Sequence, residues 1–324
     1  MDDWNQVICI DNWQPDETAY ENGYYPEGTR DKTVYFSPDS IGHLPFKPNH
    51  RYLFKKSRKG MPWQFWMEII AYRIGQIMNV AVPPAFVGLS TRENPEKRVY
   101  GALIKWFYIT PPDSFISGKI IGSDIPNFDY KTGAQHNLQT ILTKRFGVYP
   151  QMHQYMLHAF AKILTFDAVI GNTDRHQENW GFVIRPASEK DKSKVKIHVR
   201  LSPAFDNGTS MLHEQVEKNF YKFENETYCL NYLNNGKHHM KWSLEEPKDM
   251  NFFEFMVRYV REYPETREDI LIRLNFTENE LRKRLFPLTQ ITVDEECRLT
   301  QSRLDLILSM TMKRKELLKQ AIGI

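Results

Sequence analysis

Gly171-Asn172-Thr173-Asp174-Arg175-His176-Gln177-Glu178-Asn179-Trp180-Gly181-Phe182 is followed, after a short intervening stretch, by Leu201-Ser202-Pro203-Ala204-Phe205-Asp206-Asn207-Gly208. Asn, Thr, Asp and Gly are ordinary turn formers, so both pieces read first as loops. They also carry three hard oxygen donors, Asp174, Asn179 and Asp206. The Asp174–Asn179 pair alone fits a plain polar turn. The arrival of Asp206-Asn207-Gly208 after a strand-like run makes a shared chemical site the better reading.

Phosphoryl transfer asks for such a set. One carboxylate orients the attacking hydroxyl and accepts its proton, oxygen ligands hold Mg²⁺ on the phosphates, and a lysine neutralises their charge. Asp174 followed by Asn179 matches the base-then-metal-ligand order of a kinase catalytic loop, and Asp206 matches the second metal carboxylate. Asn supplies a neutral carbonyl oxygen; Asp supplies charge. His176 and Asn172 read as supports that hold the loop through hydrogen bonds. Trp180 and Phe182 read as packing beneath it. Upstream, Lys55 closes a strand and Glu68 lies on the next helix, the order in which a lysine–glutamate ion pair aims the lysine at phosphates. Strand alternation lets only one of Lys55 and Lys56 face inward, and spacing does not say which.

Working outward, the first third reads as strands with one helix. Lys32-Thr33-Val34-Tyr35-Phe36 and Tyr52-Leu53-Phe54-Lys55 are β-branched and aromatic. Residues 64–79 switch to helical period, with Phe65, Ile69, Tyr72 and Gln76 on one face, and Pro83-Pro84 prevents continuation. Further strands are expected over Ala85 to Leu89 and Val99 to Phe107. Thr110-Pro111-Pro112-Asp113 breaks the pattern, and residues 113–150 are mixed. Met152, Tyr155, Met156, Ala159, Phe160, Ile163 and Leu164 recur at helical spacing up to Ile170. Asn234-Asn235-Gly236 suggests a hairpin turn. Helices are expected near 251–262, 266–274, 277–285 and 301–322. Strands first and helices after point to an α+β protein with a small β-rich lobe, 1–107, and a larger helical lobe, 108–324.

Composition fits this. Of 324 residues, 41% are hydrophobic and 26% charged, the balance of a globular chain rather than a disordered one. A net charge of +3 is too small to argue for nucleic acid or membrane binding. Cys9, Cys229 and Cys297 form neither a metal pattern nor a disulfide framework, which suits a reducing compartment. The acidic start Met1-Asp2-Asp3-Trp4 lacks signal-peptide character, and no run is long and apolar enough to span a membrane. A cytoplasmic location is expected, compatible also with export by a route that reads no N-terminal signal.

Taken in order, these segments resemble the HipA-like family of bacterial serine/threonine protein kinases. Glu27-Gly28-Thr29-Arg30-Asp31-Lys32-Thr33 looks like its phosphate-covering loop, and Tyr52-Leu53-Phe54-Lys55 like its nucleotide-lysine strand. Glu68 with Met78-Asn79-Val80-Ala81-Val82-Pro83-Pro84 is similar to its helix and exit, and Ala102-Leu103-Ile104-Lys105-Trp106-Phe107 to its hinge strand. Gly171 to Asp174, Asn179 and Pro203-Ala204-Phe205-Asp206 are the most specific pieces. The resemblance implies a two-lobed, protein-kinase-like fold, ATP and Mg²⁺ as cofactors, and transfer to Ser or Thr of a protein substrate. It implies Asp174 as base, Asn179 and Asp206 on Mg²⁺, and Lys55 on the phosphates, steadied by Glu68. Gly28, Thr29, Arg30, Asp31 and Lys32 would cover the phosphates; Lys105, Trp106 and Phe107 would hold adenine.

Toxin–antitoxin members of the family often carry an extra N-terminal subdomain. Here too little chain precedes the phosphate loop, so a compact kinase core is expected. The loop serine that such members autophosphorylate is also missing, with Tyr24-Tyr25-Pro26 in its place. A toxin or effector role follows from the resemblance, with any antitoxin or regulator on a separate chain and no direct nucleic-acid contact. The loops also resemble type II phosphatidylinositol 4-kinases, though no palmitoylation-type cysteine cluster accompanies them. A nucleotide-binding pseudokinase would lack a base or metal ligand, and Asp174, Asn179, Asp206, Lys55 and Glu68 are all present.

Overall fold

The computed structural model describes residues 4–18, 31–40, 42, 44–109, 112–122, 125, 127–187, 197–246 and 250–323. Gly28, Thr29 and Arg30 of the expected phosphate loop lie outside the described residues. The strand-rich part forms one six-stranded sheet from β1 (Ile8–Cys9), β2 (Gln14–Pro15), β3 (Lys32–Phe36), β4 (Arg51–Lys56), β5 (Ala85–Ser90) and β6 (Val99–Lys105). Its order is β1-β5-β6-β4-β3-β2, antiparallel except for β1 beside β5. Gly88 and Gly101 face each other across β5 and β6, and the Phe54 ring from β4 fills the notch they leave. A Cβ on either would come within 2.8 Å of that ring.

Helix α1 (Trp66–Ile77) packs on β5 and β6. Every residue from Trp66 to Gly75 is buried, so it is a core helix rather than a surface one. It ends as expected: Asn79 adopts φ +52°, a left-handed conformation that Asn tolerates, and the chain turns towards Pro83-Pro84. The Trp66 indole N–H donates to the Cys297 carbonyl at 2.7 Å, tying α1 to the far end of the chain.

The mixed region contributes β7 (Ser114–Ser117), which joins β8 (Gly181–Pro186) and β9 (Ile197–Leu201) in a separate antiparallel sheet ordered β7-β8-β9. Helix α2 (Pro150–Ile170) starts on a proline and stops at Gly171, whose φ of +66° ends it and opens the loop of interest. Around it lie α3 (Glu226–Asn234), α4 (Phe252–Glu262), α5 (Arg267–Arg273), α6 (Glu278–Leu285) and α7 (Gln301–Ala321). Among the described residues no helix is long and apolar enough to cross a membrane.

The hairpin expected at Asn234-Asn235-Gly236 is corrected. These residues end α3, a helix capped by the Asn225 side chain, which accepts from the Tyr228 amide, and anchored by buried Cys229 and Leu233 one turn apart. The Asn-Gly pair stops a helix here because the flanking residues bury apolar groups at helical and not strand period.

Two histidines are sealed in the helical part. His136 accepts from the Trp180 indole N–H at 3.0 Å and stacks on that ring. His238 lies against Phe252 and Phe255, and neither of its ring nitrogens has a partner among the described residues. Burial pushes both imidazoles down to about 3, with neighbouring cations and histidines adding to it. The folded chain therefore keeps them neutral while the unfolded chain protonates them near 6.5, so stability is complete above that pH and is lost as pH falls towards 3. Each histidine contributes a slope of ~1.4 kcal/mol per pH unit in that window. His238→Phe keeps a ring in place and removes one titration. Urea midpoints taken between about pH 7 and 5, above the carboxylate range, should show a shallower acid decline in the variant; an unchanged slope contradicts the assignment.

Candidate active site

Asp167, near the end of α2, is fully buried, and burial pushes its carboxyl up against the lowering effect of Arg175. Both its oxygens are engaged by the Arg175 guanidinium, at 3.0 Å from Nε and 2.8 Å from Nη2. Arg175 also donates to the carbonyls of Asn179 at 3.2 Å and Phe205, and to the Asn207 side-chain oxygen at 2.7 Å. One buried cation thus ties the helix end to both loops that carry the oxygen donors.

Within the first loop the chain folds on its own amides. The Asn172 side chain donates to Asp167 at 3.2 Å and accepts from the Asp174 amide at 3.1 Å. The Asn179 side-chain N–H donates to the Asp174 carbonyl at 2.7 Å, leaving its amide oxygen for the cleft. His176 accepts at Nδ1 from the Glu178 amide at 3.2 Å. The Thr209 hydroxyl lies 3.5 Å from an Asp174 carboxylate oxygen, bringing the second loop alongside the first.

In the second loop Asp206 has φ +56°, a left-handed backbone unusual for a residue with a side chain. Its neighbours hold it there. The amides of Asn207 and Gly208 donate to the Glu68 carboxylate at 2.9 and 3.1 Å. The same carboxylate takes the Lys55 ammonium at 2.6 Å, and Lys55 reaches Asp206 at 2.5 Å. Strand β4 therefore turns Lys55 inward, where it is 4% exposed. Lys56 points to the other side, to Asp31 at 2.8 Å and to Glu93. That settles which lysine faces the cleft. It also means that Asp31, expected among the phosphate contacts, pairs with Lys56 and is not among the residues that line the cleft. Lys32, directly across from Lys55 in the β3–β4 register, does line it.

The cleft has two halves that share Lys32, Lys55, Glu178 and Asp206. The first, about 270 Å³, is walled by Leu53, Ile104, Trp106, Phe107, Phe115 and Phe205, with Lys105 at its edge. The Phe107 and Phe205 rings stack at 5.1 Å. Burial and the nearby Lys47 push the Lys105 ammonium down. The amides of Lys105 and Trp106 already donate to Pro84 and Arg51 carbonyls, whereas the Phe107 amide has no acceptor among the described residues. The second half, about 280 Å³, is polar and holds Asp174, His176, Gln177, His239, Arg58, Lys131 and Thr132.

So Asp174, His176, Asn179, Asp206, Lys55, Lys32, Lys105, Trp106 and Phe107 line one cleft, with Glu68 behind it. Asn179 and Asp206 offer two oxygen donors there, and no group of three or more His, Cys, Asp or Glu side chains suited to a metal exists among the described residues. Such a sparse, all-oxygen set fits Mg²⁺, which keeps waters and takes phosphate oxygens rather than filling a protein cage.

The sequence reading missed Asp167 and Arg175 as a pair, and the aromatic wall of Phe115 and Phe205. A signal existed for the first: a lone carboxylate inside the apolar run Phe166-Asp167-Ala168-Val169-Ile170 must find a partner when buried. Phe115 lies in the stretch whose pattern was mixed, and no such signal marks it.

No family model and no curated protein sequence matches the chain. Solved structures do. A Helicobacter pylori proinflammatory kinase, CtkA, superposes with a TM-score of 0.66 over 98% of both chains at 17% identity. HipA from the Shewanella oneidensis MR-1 toxin–antitoxin complex with HipB and operator DNA superposes with a TM-score of 0.51, over 96% of this chain and 74% of that one, at 9% identity. The expected α+β, two-lobed, protein-kinase-like fold of the HipA type is therefore the fold of this chain.

The Asp167–Arg175 pair carries a measurable cost. Arg175→Met leaves a buried carboxylate uncompensated and should destabilise the protein by ~3–5 kcal/mol in urea unfolding. Adding Asp167→Leu should recover only part of this, because the bonds to Asn179, Phe205 and Asn207 stay broken. Full recovery in the double variant contradicts the knot described above.

Proposed function

We propose that the chain is an ATP- and Mg²⁺-dependent, HipA-like protein kinase that transfers the γ-phosphoryl group to Ser or Thr hydroxyls of a protein. The observation that carries the reading is the meeting of Lys55 with Glu68 and with Asp206, 151 residues away, beside Asn179 and Asp174 in one cleft. The lobes would divide at 107–108, with the nucleotide between them.

The aromatic half of the cleft suits adenine: Phe107 and Phe205 supply ring faces, and the Phe107 amide is free to meet the edge of the base. The triphosphate then extends towards Lys32 and Lys55. Lys55, held by Glu68, exchanges its contact with Asp206 for phosphate oxygens. Asn179 and Asp206 would hold Mg²⁺, which when bound neutralises charge on the phosphates. Asp174 orients the acceptor hydroxyl and takes its proton as the acceptor oxygen bonds to the γ-phosphorus. The bond to the bridging oxygen breaks and ADP leaves. Fixed placement and charge account for most of the rate, with no covalent enzyme intermediate.

One structural neighbour is described as a proinflammatory kinase and the other belongs to a toxin–antitoxin pair. A toxin or effector role, with a regulator on a separate chain, is proposed here with that support, and a cytoplasmic site of action goes with it. The basis for phosphatidylinositol as acceptor is weaker, since it rests on loop similarity alone.

The roles separate by mutation. Asp174→Asn should bind Mg²⁺–ATP nearly as the parent does, by calorimetry, and lose transfer of labelled phosphate by on the order of 10²–10⁴-fold. Asp206→Ala should weaken both binding and transfer. Full activity in both variants, or no Mg²⁺-dependent ATP binding in the parent, overturns the reading.

A further inference from the structure

The polar half of the cleft carries two cations that the nucleotide reading leaves unused. Arg58 lies in the loop between β4 and α1, and Lys131 lies in a turn well before α2. Both are exposed, both line the space around Asp174, and neither forms an ion pair among the described residues. They come from opposite parts of the fold and share one opening.

Each is presented by a built support. The Lys131 turn is organised by Asp129, whose carboxylate accepts from the amides of Lys131 and Thr132 at 2.8 and 3.2 Å and from the Thr132 hydroxyl. Asp129 is the nearby carboxylate: these bonds hold its carboxyl below the usual range, with a smaller contribution from the charge of Lys131, which still makes no ion pair with it among the described residues. The turn closes at Gly133, with φ +62°, where any Cβ would collide with the Gln177 side chain of the catalytic loop. Gln177 in turn donates to the Tyr130 carbonyl at 3.4 Å. Lys131 is thereby keyed to the loop that holds Asp174. Arg58 is keyed to the other loop. Its amide donates to the Gln64 side chain at 3.3 Å, and Gln64 donates onward to the Gly208 carbonyl at 3.0 Å.

The acidic groups in the same half are accounted for. Glu178 pairs with Lys119 at 2.6 Å and Asp206 with Lys55 at 2.5 Å, so among the described residues Asp174 is the carboxylate of this lining without an ion pair. His176 and His239 complete the lining and add no negative charge. A segment reaching Asp174 through this opening meets two exposed cations that form no ion pair among the described residues.

We infer that Arg58 and Lys131 select the acceptor: the Ser or Thr that enters lies in an acidic segment, with Asp or Glu side chains flanking the hydroxyl. The inference rests on the protein-kinase reading above. Complementary charge fixes register and excludes wrong partners, and the exposed ammonium and guanidinium are both suited to carboxylates.

The test compares synthetic Ser peptides of one length flanked by Asp/Glu, by Asn/Gln or by Lys, with phosphatidylinositol vesicles as a separate arm. The parent should prefer the acidic peptide by about tenfold or more in kcat/KM, mostly through KM. Arg58→Ala with Lys131→Ala should bring the preference close to parity. Arg58→Glu with Lys131→Glu should invert it towards the Lys peptide, an outcome that a merely structural role for the two residues does not produce. Transfer to peptides with no charge preference in the parent, or a preference that survives charge reversal, overturns the inference and leaves the kinase reading standing. Transfer to vesicles and not to peptides overturns it in favour of a lipid acceptor. Transfer to nothing, together with no Mg²⁺-dependent ATP binding, overturns both.

Discussion

A guanidinium sealed away from water must satisfy five N–H donors, and Arg175 does so with five bonds. Two go to Asp167 at the end of α2, one to the loop that carries Asp174 and Asn179, and two to the turn around Asp206. Neither loop has a sheet ladder to hold it at these points. Besides the Thr209 hydroxyl contacts with Asn172 and Asp174, their mutual placement rests on one planar fork, whose geometry is far less forgiving than that of an ammonium. The site is thus organised from beneath, by a charge pair that does not line the cleft. A lysine there would supply the charge without the fork.

Glu68 plays the complementary part from the other side. Its carboxylate accepts Lys55 and two consecutive amides of the Asp206 turn. The left-handed backbone at Asp206 costs ~1–2 kcal/mol by itself, and persists because its neighbours are pinned by charge-assisted bonds. The cleft above these two anchors divides by polarity: aromatic rings on one side, ionic groups on the other. A ligand with a flat apolar end and a highly charged end matches that division.

Much of this was legible in the sequence because it depends on local pattern. The strand Lys32–Phe36, the helix around Glu68 and the C-terminal helices follow from period and punctuation, and their bounds agree within a residue or two. Asp174, Asn179 and Asp206 could be picked out because their types are chemically demanding. What stayed hidden depends on pairing across long separations. Nothing local distinguishes Lys55 from Lys56; the choice is made by Glu68 and Asp206 on one side and by Asp31 and Glu93 on the other. Phe115 joins the aromatic wall only because β7 pairs with β8. The Asn-Gly pair at 235–236 misled because the same dipeptide ends helices and turns hairpins, and flanking burial decides between them.

The anchoring of α1 has a mechanical consequence. Trp66 is bonded to the Cys297 carbonyl, Arg73 to the Trp4 carbonyl and Asn5, and Arg284 to Gln76. The helix that carries Glu68 is bolted at several points along its length to segments from both ends of the chain. An on–off switch that works by swinging this helix outward would have to tear several hydrogen bonds at once. Control of such a protein therefore falls more naturally on its supply: what is allowed to reach the opening, and when.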